Sequence, residues 1–146
     1  MQTEFLLFSA SRSQLVREKI RPYLEKGFYV ISDRFHDSSS AYQGYGRGLP
    51  VEVISTISNL AIGETVPDIT FILDIPIEIA EQRRQKKFKG NLDRIENSDR
   101  EFYQKVRNGY LEIAKKESRF KVLNGKEKIE SLHKKIVNEI EKFELR

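Results

Sequence analysis

Apolar residues recur near helical spacing through the first 26 residues, at Phe5, Phe8, Leu15, Ile20 and Leu24. That pattern predicts a helix from about Thr3 to Lys26, with a kink or early end at Pro22 and a stop at Gly27. "FYVIS", Phe28 to Ser32, is aromatic and β-branched and reads as a strand. Val53, Ile54, Ile57 and Leu60 mark a helix from Pro50 to Ile62, with proline suited to its first turn. "DITFILDI", Asp68 to Ile75, is apolar in its middle without alternation, as in a parallel strand covered on both faces, and Pro76 ends it. A helix follows through "IEIAEQRRQ". Ser98 to Glu101 forms a capping box before Phe102, Val106, Tyr110 and Ile113. "RFKVLNG" predicts a third strand, closed by Asn124 and Gly125. Ile129, Leu132, Ile136, Ile140 and Phe143 make the stripe of a last helix. Strands alternating with helices predict an α/β fold with a parallel sheet.

Composition narrows the class. One domain is the expectation for 146 residues, and residues 1–146 contain no repeat or linker. Cysteine is absent, which excludes disulfides and thiol chemistry, and with two histidines zinc is not expected. No apolar run approaches membrane-spanning length, and no basic segment precedes the apolar residues of "MQTEFLLFSASRS". A cytoplasmic protein with no membrane partner is expected. The net charge is only +4, but "RRQKKFKGNLDR", Arg83 to Arg94, holds six cations and one acid. Such a block suits an anionic ligand, either nucleic acid or the phosphates of a small nucleotide; a solvated helix end is the commoner reading of a basic run in isolation.

In open α/β sheets ligands bind beyond the carboxyl ends of the strands. The first expected strand ends in Asp33-Arg34, the second in Asp74 and the third in Asn124-Gly125. A guanidinium fork at Arg34 suits bidentate phosphate recognition, with Asp33 placed to orient it or to hold a magnesium-bound water. A surface Asp–Arg pair beside a turn accounts for the same residues. The following "HDSSSAYQGYGRG" offers hydroxyls, an amide, flat rings and glycines that let backbone approach a ligand. Its bland reading is a flexible loop.

Four stretches in order, "LLFSASR", "DRFHDSSSAYQGYGRGL", "PDITFILDI" and "LDRIE" with "EFYQKVRNGYLEIA", resemble the thymidylate kinase family from Glu4 to about Asn124. The resemblance implies a P-loop-kinase-like, three-layer parallel sheet with helices on both faces, and transfer of the ATP γ-phosphate to dTMP with Mg2+. By position it implies that Phe8 stacks on thymine, that Arg12 touches the base and its phosphate surroundings, and that Arg34 grips the dTMP phosphate. Ser39 would meet the thymine edge, Tyr42 would crowd the sugar 2′ position, and Gln43 would continue that wall. The basic stretch, about 83–96, would be a lid over ATP, with Arg83, Arg84, Asp93, Arg94 and Glu96. Lys89 stands there where some members have a catalytic arginine; it keeps charge but loses the planar fork. Asn124 and Gly125 fall where the adenine-side loop begins. A homodimer through the first helix, and no nucleic-acid partner, are implied as well. Phe35 stands where the family usually has tyrosine, and Ser11 where it has an acidic or amide residue.

The largest departure is that the family's first strand, GxxxxGK[ST] loop, first helix and second strand are not matched; no GxxxxGK[ST] occurs in the 146 residues. That loop cradles the ATP phosphates. The expectation is therefore an incomplete nucleoside monophosphate kinase domain, impaired as a catalyst on its own. The expected sheet would have a gap between "FYVIS" and "DITFILDI". The alternatives are a non-catalytic deoxynucleotide-binding module or the remnant of a truncated gene. A nucleic-acid-binding protein using the 83–94 run is a third reading, disfavoured because no aromatic platform is interleaved with those cations.

Overall fold

The computed structural model describes residues 1–87 and 100–144. A long helical rod opens the chain: α1 (Gln2–Leu15), a π-helical turn (Val16–Ile20) and α2 (Arg21–Glu25). Pro22 does not end it, because it stands in the first turn of α2, where its missing N–H costs least. Gly27, at φ 80°, closes the rod, and the Phe28 amide donates to the Tyr23 carbonyl at 3.0 Å. The buried stripe differs from the expected one. Phe5, Ser9, Val16 and Ile20 face inward, whereas Phe8, Leu15 and Leu24 are exposed. Ser9 is tolerated inside because its hydroxyl donates to the Phe5 carbonyl at 2.9 Å.

Residues 36–46, read from sequence as a loop, are helical: α3 (His36–Ser39) continues into a π-helical turn (Ser40–Gly46). The next elements are α4 (Val51–Ile62), β1 (Thr70–Asp74), α5 (Ile77–Lys87), α6 (Arg100–Ala114), β2 (Phe120–Asn124) and α7 (Ile129–Glu144). All six lie where the sequence places an element, but the buried face of α4 is Ile54, Ser58, Ala61 and Ile62, with Val53 and Leu60 exposed, and at the ends of α7 Ile129 and Phe143 are exposed. β1 and β2 pair in parallel, in register from Thr70 opposite Phe120 to Asp74 opposite Asn124. The α/β class and parallel sheet expected from the sequence are present.

The expected strand at Phe28–Ser32 is not. No described segment pairs with it, and Ile31 is 95% exposed. Local pattern favours extended backbone, but a strand exists only when a neighbour meets its N–H and C=O groups. β1 likewise is not fully covered: Leu73 is half exposed, in a sheet of two strands among the described residues.

Two apolar clusters hold the fold. Val16 and Ile20 of the rod meet Ala61 and Ile62 of α4, with Phe35 against them. Phe102, Val106 and Ile113 of α6 enclose Ala41 and reach Phe120 of β2, with Tyr42, Tyr45 and Ile72 packed around them. Burial on this scale stabilises by roughly 1.5–3 kcal/mol per large apolar side chain. Both clusters press on residues 36–46 or the segment just before it, so the polar stretch is clamped between α1, α4 and α6.

Candidate active site

The exposed face of α1 and the buried helical segment 36–46 meet through a series one helical turn apart. Glu4, Phe8 and Arg12 are spaced by four residues and lie along one face. Glu4 Oε1 accepts from Gln43 Nε2 at 3.0 Å. Arg12 Nη2 donates to Ser39 Oγ at 3.3 Å and, more weakly, to the Phe35 carbonyl at 3.4 Å. Its Nη1 is buried with no hydrogen-bond partner, an uncompensated donor beside Ser39. Burial lowers the Arg12 pKa, with Asp37 opposing the shift. The Phe35 ring lies 5.7 Å from the Arg12 guanidinium. Between those two polar contacts Phe8 stays 44% exposed. Phe8 is therefore not part of the buried stripe of α1.

Ser39 and Gln43 are almost fully buried despite their polarity. Tyr42 stands edge-on to Phe102 and Tyr110, with ring centroids 6.0 and 6.3 Å away. The Tyr110 hydroxyl donates to Ser38 Oγ at 2.8 Å, so the aromatic wall is held at both ends. Burial raises the Tyr110 pKa and keeps it a neutral donor. Arg34 reaches over the Tyr42 ring at 5.3 Å. Its backbone has φ 70°, and Ser32 Oγ donates to its carbonyl at 2.8 Å. A left-handed arginine costs on the order of 1–3 kcal/mol, a strain characteristic of ligand-contacting positions. Asp33 and Arg34 are both exposed, so an anion can reach the guanidinium.

Two of the motif's glycines serve packing. A Cβ at Gly44 would touch Ile54 at 3.3 Å, and one at Gly46 would clash with Phe102 and Val106 at 2.7 Å. Gly44 and Gly46 thus permit helix-to-helix approach, whereas Gly48, at φ 76°, has open space where a Cβ would stand.

A second polar group gathers at the carboxyl ends of β1 and β2. Asp74 holds Arg107 in a bidentate pair at 2.7 and 2.9 Å, and that arginine keeps its carboxyl below the usual range. The Gly125 amide donates to the Asp74 carbonyl at 2.8 Å, and the Gly125 carbonyl accepts from Arg83 Nη1 at 3.1 Å. Arg83 thus sits on α5, tying that helix to the end of β2. Asn124 Oδ1 caps the same turn by accepting from the Lys126 amide at 3.2 Å. Arg84 falls on the last turn of α5, with its side chain outside the described part. Lys89, Asp93, Arg94 and Glu96 lie outside the described residues.

The family model for thymidylate kinase matches residues 1–136. The chain belongs to the thymidylate kinase family. It is 43% identical to the thymidylate kinase of Kosmotoga olearia over 94% of its own length and 66% of that protein's. With the thymidylate kinase of Thermosipho africanus the identity is 45%, over 97% and 69%. The crystal structure of thymidylate kinase from Ehrlichia chaffeensis matches with a TM-score of 0.74 at 33% identity, over 96% of this chain and 64% of that one. The chain thus spans about two thirds of the length of these thymidylate kinases.

Within this thymidylate kinase fold, sequence reasoning missed Glu4, Asp37, Arg107, Tyr110 and Arg119. Only Glu4 carried a local signal, its four-residue spacing from Phe8. The others are recognisable by their long-range partners alone.

His36 supplies a prediction. Its Nδ1 is buried without a partner, and its Nε2 lies 3.3 Å from Asp37. Burial lowers its pKa from 6.5; Asp37 and Glu117 oppose that, and Arg119 and Arg12 reinforce it. The unfolded chain therefore takes up this proton first. The associated stability is complete above pH 6.5 and declines as pH falls from there through the lower folded value. Urea titrations from pH 5 to 8 should give a His36-dependent slope below about 6.5. A His36→Gln chain with the same slope would refute it.

Proposed function

We propose that the chain binds the acceptor nucleotide dTMP in a thymidylate kinase that transfers the ATP γ-phosphate to give dTDP. The observation carrying this reading is the facing of Glu4, Phe8 and Arg12 on α1 with Ser39 and Gln43, beside the Arg34–Tyr42 pair. Thymine stacks on exposed Phe8, with its polar edge at Ser39 and the uncompensated Nη1 of Arg12. Tyr42, fixed by Phe102 and Tyr110, stands against the sugar and disfavours a 2′-hydroxyl. Exposed Arg34 takes the phosphate, its strained backbone aiming the fork outward, and Asp33 steadies it.

ATP and Mg2+ are implied by the family, but the residues present do not form their site. The sequence contains no GxxxxGK[ST], and no group of three His, Cys, Asp or Glu able to hold a metal exists among the described residues. No step is derived through either. Asn124, Gly125, Arg83 and Arg84 border the strand ends where a donor nucleotide would approach, with Lys89, Asp93 and Arg94 as its lid. Self-association is supported by the exposed Leu6, Leu7 and Leu15 of α1. No helix among the described residues is long and apolar enough to cross a membrane.

Calorimetry with dTMP and thymidine tests the pocket. The unmutated chain should bind both, and dTMP more tightly. Arg34→Ala should lose roughly 10–100-fold in dTMP affinity and leave thymidine unchanged, the worth of a charge-assisted phosphate contact. Failure of a folded sample to bind dTMP would sink the reading.

A further inference from the structure

We propose that Arg119 is a positioning residue for the nucleoside pocket, acting through Asp37 at the start of α3. The inference rests on the dTMP reading above and extends it to a residue far outside the pocket motif. Arg119 precedes β2, and its side chain is only 9% exposed. All three of its guanidinium nitrogens donate hydrogen bonds. Nη2 donates to Asp37 Oδ1 at 2.8 Å and Nη1 to Asp37 Oδ2 at 3.0 Å. Nη1 also donates to Thr70 Oγ1 at 2.8 Å, and Nε to Glu117 Oε2 at 2.8 Å. The guanidinium lies 4.0 Å from the Phe120 ring centroid. Its own carbonyl accepts from the Thr70 amide at 2.9 Å, so its backbone is locked to β1 as well.

Asp37 therefore has a fixed address relative to the sheet. It is 7% exposed, and Arg119 holds both of its carboxylate oxygens. The two acceptors of Arg12, the Phe35 carbonyl and Ser39 Oγ, lie two residues before and two residues after Asp37. Pinning Asp37 thus pins both. α3 is four residues long and has no side-chain cap of its own, so its register depends on tertiary contacts. A planar fork can hold a carboxylate bidentately while reaching Thr70 and Glu117; a lysine ammonium cannot do all of this at once.

The test uses Arg119→Lys, which keeps the charge, alongside Arg119→Met. Because Arg119 acts on the base side, thymidine and dTMP affinities should fall by the same factor, roughly tenfold for Arg119→Lys and more for Arg119→Met. Introduced into an Arg12→Ala chain, Arg119→Lys should cause no further loss, since the contact it positions is already gone. Amide hydrogen exchange across residues 36–46 should accelerate in Arg119→Lys while α7 keeps its protection. Unchanged affinity in Arg119→Lys, a loss confined to dTMP, or an undiminished effect in the Arg12→Ala background overturns the inference. Unmutated binding is measured first. Its absence overturns the dTMP reading and this inference together, whereas its presence with an unaffected Arg119→Lys overturns this inference alone.

Discussion

Given ATP, magnesium and dTMP, the polypeptide of these 146 residues should turn over at least roughly 10³-fold below the ~1–100 s⁻¹ common among kinases. Phosphoryl transfer leaves little covalent work to the protein. Its rate comes from holding donor and acceptor in line and from neutralising charge on the transferring group. The acceptor side is organised: Arg12, Ser39, Gln43 and Tyr42 are each fixed by a named partner. The donor side has no GxxxxGK[ST] backbone to receive the β- and γ-phosphates. Arg83 is committed to the Gly125 carbonyl and Arg107 to Asp74. A coupled assay with this polypeptide is the check. Ordinary kinase rates would mean that its own residues hold ATP, and the division into acceptor and donor sides would be wrong.

Gly46→Ala should lower the thermal midpoint by roughly 5–10 °C, from a loss of about 1–3 kcal/mol through overpacking. The added methyl would stand 2.7 Å from both Phe102 and Val106 of α6. The fit is reciprocal. A Cβ at Gly109 on α6 would lie 2.6–2.9 Å from the side chain of Tyr45 on the facing π-helical turn. Each element therefore carries a glycine where the other presents bulk. Gly109→Ala should cost a similar amount, and both changes should weaken dTMP binding because the turn carries Tyr42 and Gln43. The opposing effect is helix propensity, worth roughly 1 kcal/mol in favour of alanine. A Gly46→Ala chain as stable as the parent would show that propensity outweighs the close approach.

The particular elements that were legible share a feature. α4, α6, α7, β1 and β2 each have an apolar pattern that matches their backbone period, so their type and order were legible, although Val53, Leu60, Leu73, Val122, Ile129 and Phe143 are exposed. The motif was legible as a family resemblance, and its arginine, serine, tyrosine and glutamine are the residues on which the proposed nucleotide pocket rests. Its backbone was not. Gly44 and Gly46 argue against a helix locally, and packing against α6 and α4 overrides them. The buried stripe of α1 was misplaced for a related reason. Phe8 is apolar, yet it stays exposed between Arg12 and Glu4 on the same face, each bonded to the motif.

By itself the sequence determined the α/β class, the order of helices and of β1 and β2, and the family resemblance from which the acceptor-nucleotide pocket is proposed. These follow from periodicity and functional groups, which are properties of neighbours along the chain. The tertiary structure alone decided that residues 36–46 are helical, that Phe28–Ser32 makes no strand, and that Arg119, Arg107 and Tyr110 brace the site from 33 to 82 residues away. The physical reason is common to all three. A strand needs a partner edge, a glycine-rich helix needs a facing surface, and a buried carboxylate needs an opposite charge, and each is supplied or withheld only by what folding brings alongside.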